Sequence, residues 1–189
     1  MKKGFTLLEL LIVIGILAIL STTMVIVINP AEMLRKARDA QRISDLSTLK
    51  TALSYYLTEA SSPSIGSTSL WYVYAHPGFS FAGACMGRTA TTTASQLING
   101  TGWVPVDLSS LSGGAPISSY PIDPNPVNGK RYYIYLPGSS NTFEFLANME
   151  STTYTSQETT DGGNLSDIYE IGTAMIANST SGCYTDTGT

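Results

Sequence analysis

Residues 5–28 read FTLLELLIVIGILAILSTTMVIVI, a nearly unbroken apolar run of 24 residues. About 20 apolar residues suffice to span the hydrocarbon core of a bilayer as a helix, so the run predicts a membrane-crossing helix. The basic tetrapeptide Met1-Lys2-Lys3-Gly4 precedes it, and the positive-inside bias keeps that end in the cytoplasm. A secretory signal peptide has a shorter apolar core, about 7–15 residues, followed by a small-residue cleavage site. This run is longer, and Asn29-Pro30-Ala31-Glu32 is a poor site of that kind. A plain signal anchor fits the length but leaves Glu9 unexplained.

A carboxylate within such a run is costly unless it is paired, protonated or close to the interface. No base lies within a helical turn of Glu9: Lys3 is six residues away, and the next is Arg35. A cut after Gly4 would give Phe5 a new, positively charged α-amino group. Within one chain that amine would sit one turn from Glu9, and in a neighbouring chain shifted along a common axis it could meet Glu9 directly. A charge pair in low dielectric rewards association and penalises the lone chain.

Lys3-Gly4-Phe5-Thr6-Leu7-Leu8-Glu9-Leu10-Leu11-Ile12-Val13-Ile14 resembles the class III leader and N-terminal signature of type IV pilins and pseudopilins. The resemblance implies cleavage between Gly4 and Phe5 by a prepilin peptidase, N-methylation of Phe5, and an assembly charge pair between Glu9 and the Phe5 amine. It implies a structural subunit of a type IV pilus-like filament, with no enzymatic activity and no cofactor. The expected partners are further copies of the chain, the prepilin peptidase, an assembly ATPase with its platform protein, and the inner membrane before assembly. Nothing in the sequence points to nucleic acid. The expected location is a single-pass membrane precursor and then an extracellular filament. One alternative is a pseudopilin of a type II secretion system. Another is a singly displayed, membrane-anchored adhesin or binding module, which would need neither the Gly4-Phe5 junction nor Glu9.

Composition agrees with this division of labour. The net charge is −4 and only 13% of residues are charged, about half the usual globular share. An acidic balance excludes a binder that works by neutralising phosphates. One histidine and two cysteines exclude a Cys/His zinc cluster, and a Ser-His-Asp arrangement would need His76 as its base. Seven basic residues fall at or before Lys50, and three, Arg88, Lys130 and Arg131, follow Ser61 together with nine acids. The layout expected is a leader at 1–4, a membrane and filament-core helix at 5–28, an amphipathic helix half at 29–60, and a β-rich extracellular head at 61–189.

As one helix, residues 5–60 would be about 84 Å long. Pro30 should kink it or start a new segment, and Gly15 is a second weak point. Between such residues the helices of the resembled family often melt locally in filaments. Beyond Pro30, Arg42, Leu46, Leu49, Leu53 and Tyr56 lie along one stripe at helical spacing, with Leu57 alongside. Leu46, Leu49, Leu53 and Tyr56 are expected to pack against the second zone. The cluster Arg35, Lys36, Arg38 and Arg42 reads as a solvated or inter-subunit face that meets the acidic zone of neighbours. Ser61-Ser62-Pro63 ends the helix.

Strands are expected at Leu70–Tyr74, Gly102–Val106, Tyr132–Leu136, Thr142–Ala147 and Asp167–Ile171. The third and fourth form a hairpin around Pro137-Gly138-Ser139-Ser140-Asn141. Tyr120-Pro121-Ile122-Asp123-Pro124-Asn125-Pro126 reads as a rigid turn. The fold expected is α+β: a long N-terminal helix whose second half packs on an antiparallel sheet, an outline that type IV pilins share. Pro121-Ile122-Asp123-Pro124 before Tyr132-Tyr133-Ile134-Tyr135 resembles the turn before the hairpin of pseudopilin sheets. Thr160-Asp161-Gly162-Gly163-Asn164, followed by Ile168-Tyr169-Glu170-Ile171-Gly172, resembles a stretch of the family's small-pilin members, and some pseudopilins bind calcium in a loop near this position. Glu158, Asp161, Asn164, Ser166 and Asp167 offer oxygen ligands there, but not at EF-hand spacing, and an Asp-Gly turn without metal is the preferred reading. Cys85 and Cys183, 98 residues apart, form the single cysteine pair of an exported domain and predict a disulfide, with two free thiols as the alternative. Asn99, Asn164 and Asn178 begin glycosylation-type tripeptides of a kind that chance supplies in a Ser/Thr-rich chain. His76 reads as an inert loop residue.

Overall fold

The computed structural model describes residues 4–79 and 84–178. The chain divides into two compact units, Met1–Arg35 and Lys36–Thr189. The helical part is two helices, α1 (Leu7–Ile28, 22 residues) and α2 (Pro30–Glu59, 30 residues), with Asn29 between them. Asn29 is left-handed at φ 45° and ψ 75°, a conformation that asparagine tolerates better than most residues. Its carbonyl accepts the N–H groups of Glu32 and Met33. Pro30 occupies the first position of α2, where a missing N–H removes no helical hydrogen bond. Helix α1 is continuous through Gly15.

Between Ile12 and Leu20 every position of α1 is exposed, leucines and isoleucines included. Helix α2 is amphipathic and buries Arg42, Leu46, Leu49, Ala52, Leu53 and Tyr56, on the stripe that the 3.6-residue spacing predicts.

The strands are β1 (Leu70–Tyr74), β2 (Ala84–Cys85), β3 (Arg88–Thr93), β4 (Ile134–Pro137), β5 (Phe143–Ala147) and β6 (Tyr169–Gly172). They form one sheet in the order β2-β3-β1-β4-β5-β6. The fold is α+β, consistent with the pilin outline. The sheet is mixed: β1 and β3 pair in parallel, from Leu70 opposite Thr89 to Tyr74 opposite Thr93, and the other pairings are antiparallel. The β4–β5 hairpin closes through a short 3-10 turn at Ser139–Asn141, where Ser140 and Asn141 take positive φ.

Both faces of the sheet are covered, and side-chain alternation sorts the residues between them. Tyr72, Tyr133, Tyr135, Phe143, Phe145 and Ala147 join Leu46, Leu49, Leu53 and Tyr56 of α2 in the larger core. Trp71, Val73, Ile134, Leu136 and Leu146 face the other way and meet Cys85, Tyr132, Ile168 and Ala177 in a second core. The stretch Gly102–Val106 is not a strand. Trp103, Val104 and Val106 are buried, but they are held individually. Trp103 Nε1 donates to the Pro121 carbonyl at 3.1 Å, and the Tyr120 hydroxyl donates to the Val106 carbonyl at 2.7 Å.

Candidate functional site

Gly4 and Phe5 lie in extended chain just ahead of α1, and Phe5 is 73% exposed. A Cβ added at Gly4 would meet nothing within 4 Å, and the same holds at Gly15. The fold of this chain therefore gives no steric reason for glycine at either position.

Thr6 is the N-cap of α1, with φ −82° and ψ 149°. Its hydroxyl accepts the Glu9 N–H at 3.2 Å. In return Glu9 Oε2 accepts the Thr6 N–H at 2.9 Å and the Thr6 hydroxyl at 2.8 Å. This is a capping box, in which two otherwise unsatisfied N–H groups of the helix terminus are satisfied by side chains. All three bonds use Thr6 Oγ1 or Glu9 Oε2, so Glu9 Oε1 has no donor among the described residues. The carboxylate is held at the end of the helix through one oxygen. The Thr6-x-x-Glu9 spacing is a readable sequence signal for this arrangement, which reading Glu9 only as an intramembrane acid misses.

The globular unit uses its charges differently. Arg42 is fully buried. Its Nε and Nη2 donate to Asp123 Oδ2 and Oδ1 at 2.7 and 2.8 Å, a bidentate pair. Nη1 donates to Asp39 Oδ1 at 2.7 Å, and Nη2 lies 2.7 Å from Glu150 Oε1. Arg38 makes its own two-bond contact with Glu150, at 2.9 and 2.7 Å. Arg131 Nε lies 3.9 Å from Glu150 Oε1. The Asp39 carboxylate also accepts the backbone N–H groups of Glu150 and Ser151. Three arginines and three acids thus tie α2 to the Asp123 turn and to the chain after β5.

Burial opposes the charge on Arg42, and the hydrogen bonds and field of Asp123, helped by Glu150 and Asp39, outweigh it and raise its pKa above the ordinary arginine range. Burial likewise pushes Glu150 up, and Arg38 and Arg42 overcome it to hold the carboxyl at about 2. This corrects the reading of Arg38 and Arg42 as a solvated or inter-subunit face: both are engaged by acids of their own chain. The partners could not be read locally, since Asp123 lies 81 residues from Arg42.

The remaining candidates separate. Asp161 spends Oδ1 on the Gly163 N–H at 2.8 Å and Oδ2 on the Glu170 N–H at 2.6 Å. Asn164 donates its amide to the Ala177 carbonyl, and Asp167 is exposed. No group of three His, Cys, Asp or Glu side chains among the described residues could hold a metal. Glu158 is buried, takes the Met149 N–H at 2.9 Å, and is raised by burial to about 7. Cys85 is fully buried in the second core, and Cys183 lies outside the described residues. His76 packs its ring 4.9 Å from those of Tyr74 and Phe79, and burial lowers its pKa. Asn99 is exposed, with its Oδ1 taken by the Thr101 N–H and hydroxyl. Asn178 is exposed as well.

Residues 1–25 match the family model described as the prokaryotic N-terminal methylation motif. The chain therefore carries, over those residues, a prepilin-type leader of the kind found in type IV pilins and pseudopilins. The leader implies processing by a prepilin peptidase and pilus-type assembly. Helix α1 is long and apolar enough to cross a membrane, which fits a membrane-anchored precursor. No curated protein and no solved structure matches the chain significantly.

Proposed function

We propose that the chain is a structural subunit of a type IV pilus-like filament. It is inserted by α1, cut between Gly4 and Phe5, methylated at the Phe5 amine, and polymerised through α1. The observation that carries this reading is the surface of α1, apolar and exposed at its leucines and isoleucines from Leu7 to Leu20, with one acid at its start held by Thr6 through Oε2 so that Oε1 has no donor among the described residues. Lipid satisfies the apolar surface before assembly, and neighbouring helices satisfy it afterwards. The cationic amine of Phe5 on an adjoining subunit supplies what Glu9 Oε1 lacks. A singly displayed receptor would have no use for this oxygen or for the glycine ahead of Phe5. An energy-driven assembly ATPase and its platform protein extract the subunit from the membrane. The filament stands outside the cell.

The mature N-terminus tests the reading. Intact-mass analysis of exported protein should give a chain that begins at N-methylated Phe5. A mature chain starting near Ala31, or Met1 retained in filaments, would overturn it.

A further inference from the structure

Strands β5 and β6 place Glu144 and Glu170 on the face of the sheet that carries Leu146: Glu170 lies opposite Leu146, and Glu144 opposite Gly172. Both residues are buried, at 0% and 1% exposure. Glu144 Oε2 accepts the N–H groups of Ile176 and Ala177, each at 2.7 Å. Glu170 Oε2 accepts the Leu165 N–H at 2.6 Å. The loop before β6 closes over this second carboxyl so tightly that a Cβ at Gly163 would collide with it. The two Oε1 atoms have no hydrogen-bond partner, although both carboxyls are out of water. Two carboxylates could not satisfy each other, because each is only an acceptor. A proton on one of them would supply the missing donor.

We propose that the Glu144–Glu170 pair is a proton-operated latch, which holds the loop at Leu165 and the tail at Ile176–Ala177 against the sheet while the pair shares one proton. Loss of that proton leaves two buried carboxylates side by side. Like charges on one face of neighbouring strands are strongly disfavoured together in a dry site, so the segment that carries them opens. The charged neighbours do not replace the proton. Arg88 of β3, whose field reaches Glu144, spends a guanidinium N–H on the Pro137 carbonyl at 2.6 Å. Asp161, from the loop over Glu170, adds a further negative charge. The tail residues contribute backbone N–H groups only. Burial, and then the neighbouring Glu170 carboxyl, raises the Glu144 carboxyl above its ordinary range. A carboxyl raised on folding contributes stability that is complete below its unfolded value, and that stability drains away as the pH rises through the folded one.

Amide hydrogen exchange of the full-length chain in detergent micelles tests the latch, with rates corrected for base catalysis. Between about pH 6 and about pH 9, protection at Leu165, Ile176 and Ala177 should fall by about tenfold or more, one pKa unit being tenfold. Protection at Trp71 and Val73 in β1 should hold. In Glu170→Gln the side-chain amide donates the bond without a proton, so protection of the tail should no longer depend on pH. Infrared spectroscopy of the unaltered protein gives a second readout: the carbonyl band of a buried protonated carboxyl should vanish as the pH rises through about 8, and Glu144→Gln should lack it. The same pH profile in Glu170→Gln as in the parent, or no such band at neutral pH, would overturn the proposal. So would recovery of protection at about pH 9 on adding calcium ions, which would make a cation the bridging group.

Discussion

Helices α1 and α2 follow one another with only Asn29 between them, yet they treat leucine and charge in opposite ways. Helix α1 leaves Leu7, Leu8, Leu10, Leu11, Leu17 and Leu20 exposed, whereas α2 brings Leu46, Leu49 and Leu53 to zero exposure. The one acid in α1 meets a hydroxyl and an N–H of its own first turn. The arginine on the buried stripe of α2 meets three acids. An element whose apolar and charged groups are satisfied within its own chain belongs to the fold. One whose groups are not satisfied there is half of an interface. By that test α2 is a fold element, and α1 is a surface waiting for lipid or for other copies.

The sharpest way to break this comparison is to make α2 resemble α1 by removing its internal partners. Arg42→Ala leaves Asp39, Asp123 and Glu150 together in a buried site. Removing one side of a buried ion pair costs about 3–5 kcal/mol, so the globular unit should melt on the order of 10 °C lower by circular dichroism. Leader cleavage should be unaffected. The same cluster sets the response to acid. Glu150 is depressed to about 2, so its contribution is complete above the ordinary carboxyl range and is lost as the pH falls through that value. An acid titration should show this loss in the parent protein and a flatter profile in Arg42→Ala. Equal melting temperatures would mean that apolar contacts alone hold α2.

A smaller effect is expected from the cysteines. A bridge from Cys85 to Cys183 would add up to about 4.7 kcal/mol by loop entropy, and usually less in practice. Peptide mapping without reduction should recover the linked peptides. Quantitative labelling of both thiols in native protein would contradict the bridge. The smallest effect should be that of Thr6→Ala, which removes the cap of α1 at about 1 kcal/mol. It should lower filament yield by freeing the Glu9 carboxylate to turn, while Thr6→Ser keeps the cap and the yield. Equal yields in Thr6→Ala and the parent would show that holding Glu9 in place contributes nothing to assembly.

What the sequence revealed follows from how local each signal is. The stripe from Arg42 to Tyr56 recurs at helical spacing within one element, and its buried face could be read directly. Leu70–Tyr74 and the two arms of the hairpin alternate large apolar residues and match their strands closely. β3 could not be read, because Arg88-Thr89-Ala90-Thr91-Thr92-Thr93 has no large apolar residue to mark a face, and its parallel pairing with β1 is decided by the sheet. Trp103–Val106 has the composition of a strand but is buried without a ladder, each side chain finding its own partner. The Arg42 cluster was half legible. Arg42 falls on the stripe with Leu46 and Leu49, but it reads with its basic neighbours as a solvated or inter-subunit face because the acids that bury it lie on a distant turn and beyond β5. At the N-terminus the Gly4-Phe5 junction and Glu9 could be read from type and spacing, and the engagement of Oε2 by Thr6 could have been read from the capping-box pattern.

The central claim is that Glu9 is completed by another copy of the chain. The direct measurement is filament yield in the sheared surface fraction of cells expressing Glu9→Val, beside an immunoblot of cleaved protein in the membrane. Valine removes a costly carboxylate from the apolar helix, so insertion and cleavage should persist. The neighbouring Phe5 amine would then enter low dielectric unpaired at every subunit, so filaments should be absent or greatly reduced. Glu9→Asp should fall between, and Glu59→Ala, at the far end of α2, should assemble normally. A normal yield of filaments from Glu9→Val would contradict the account and leave Glu9 as a helix cap alone.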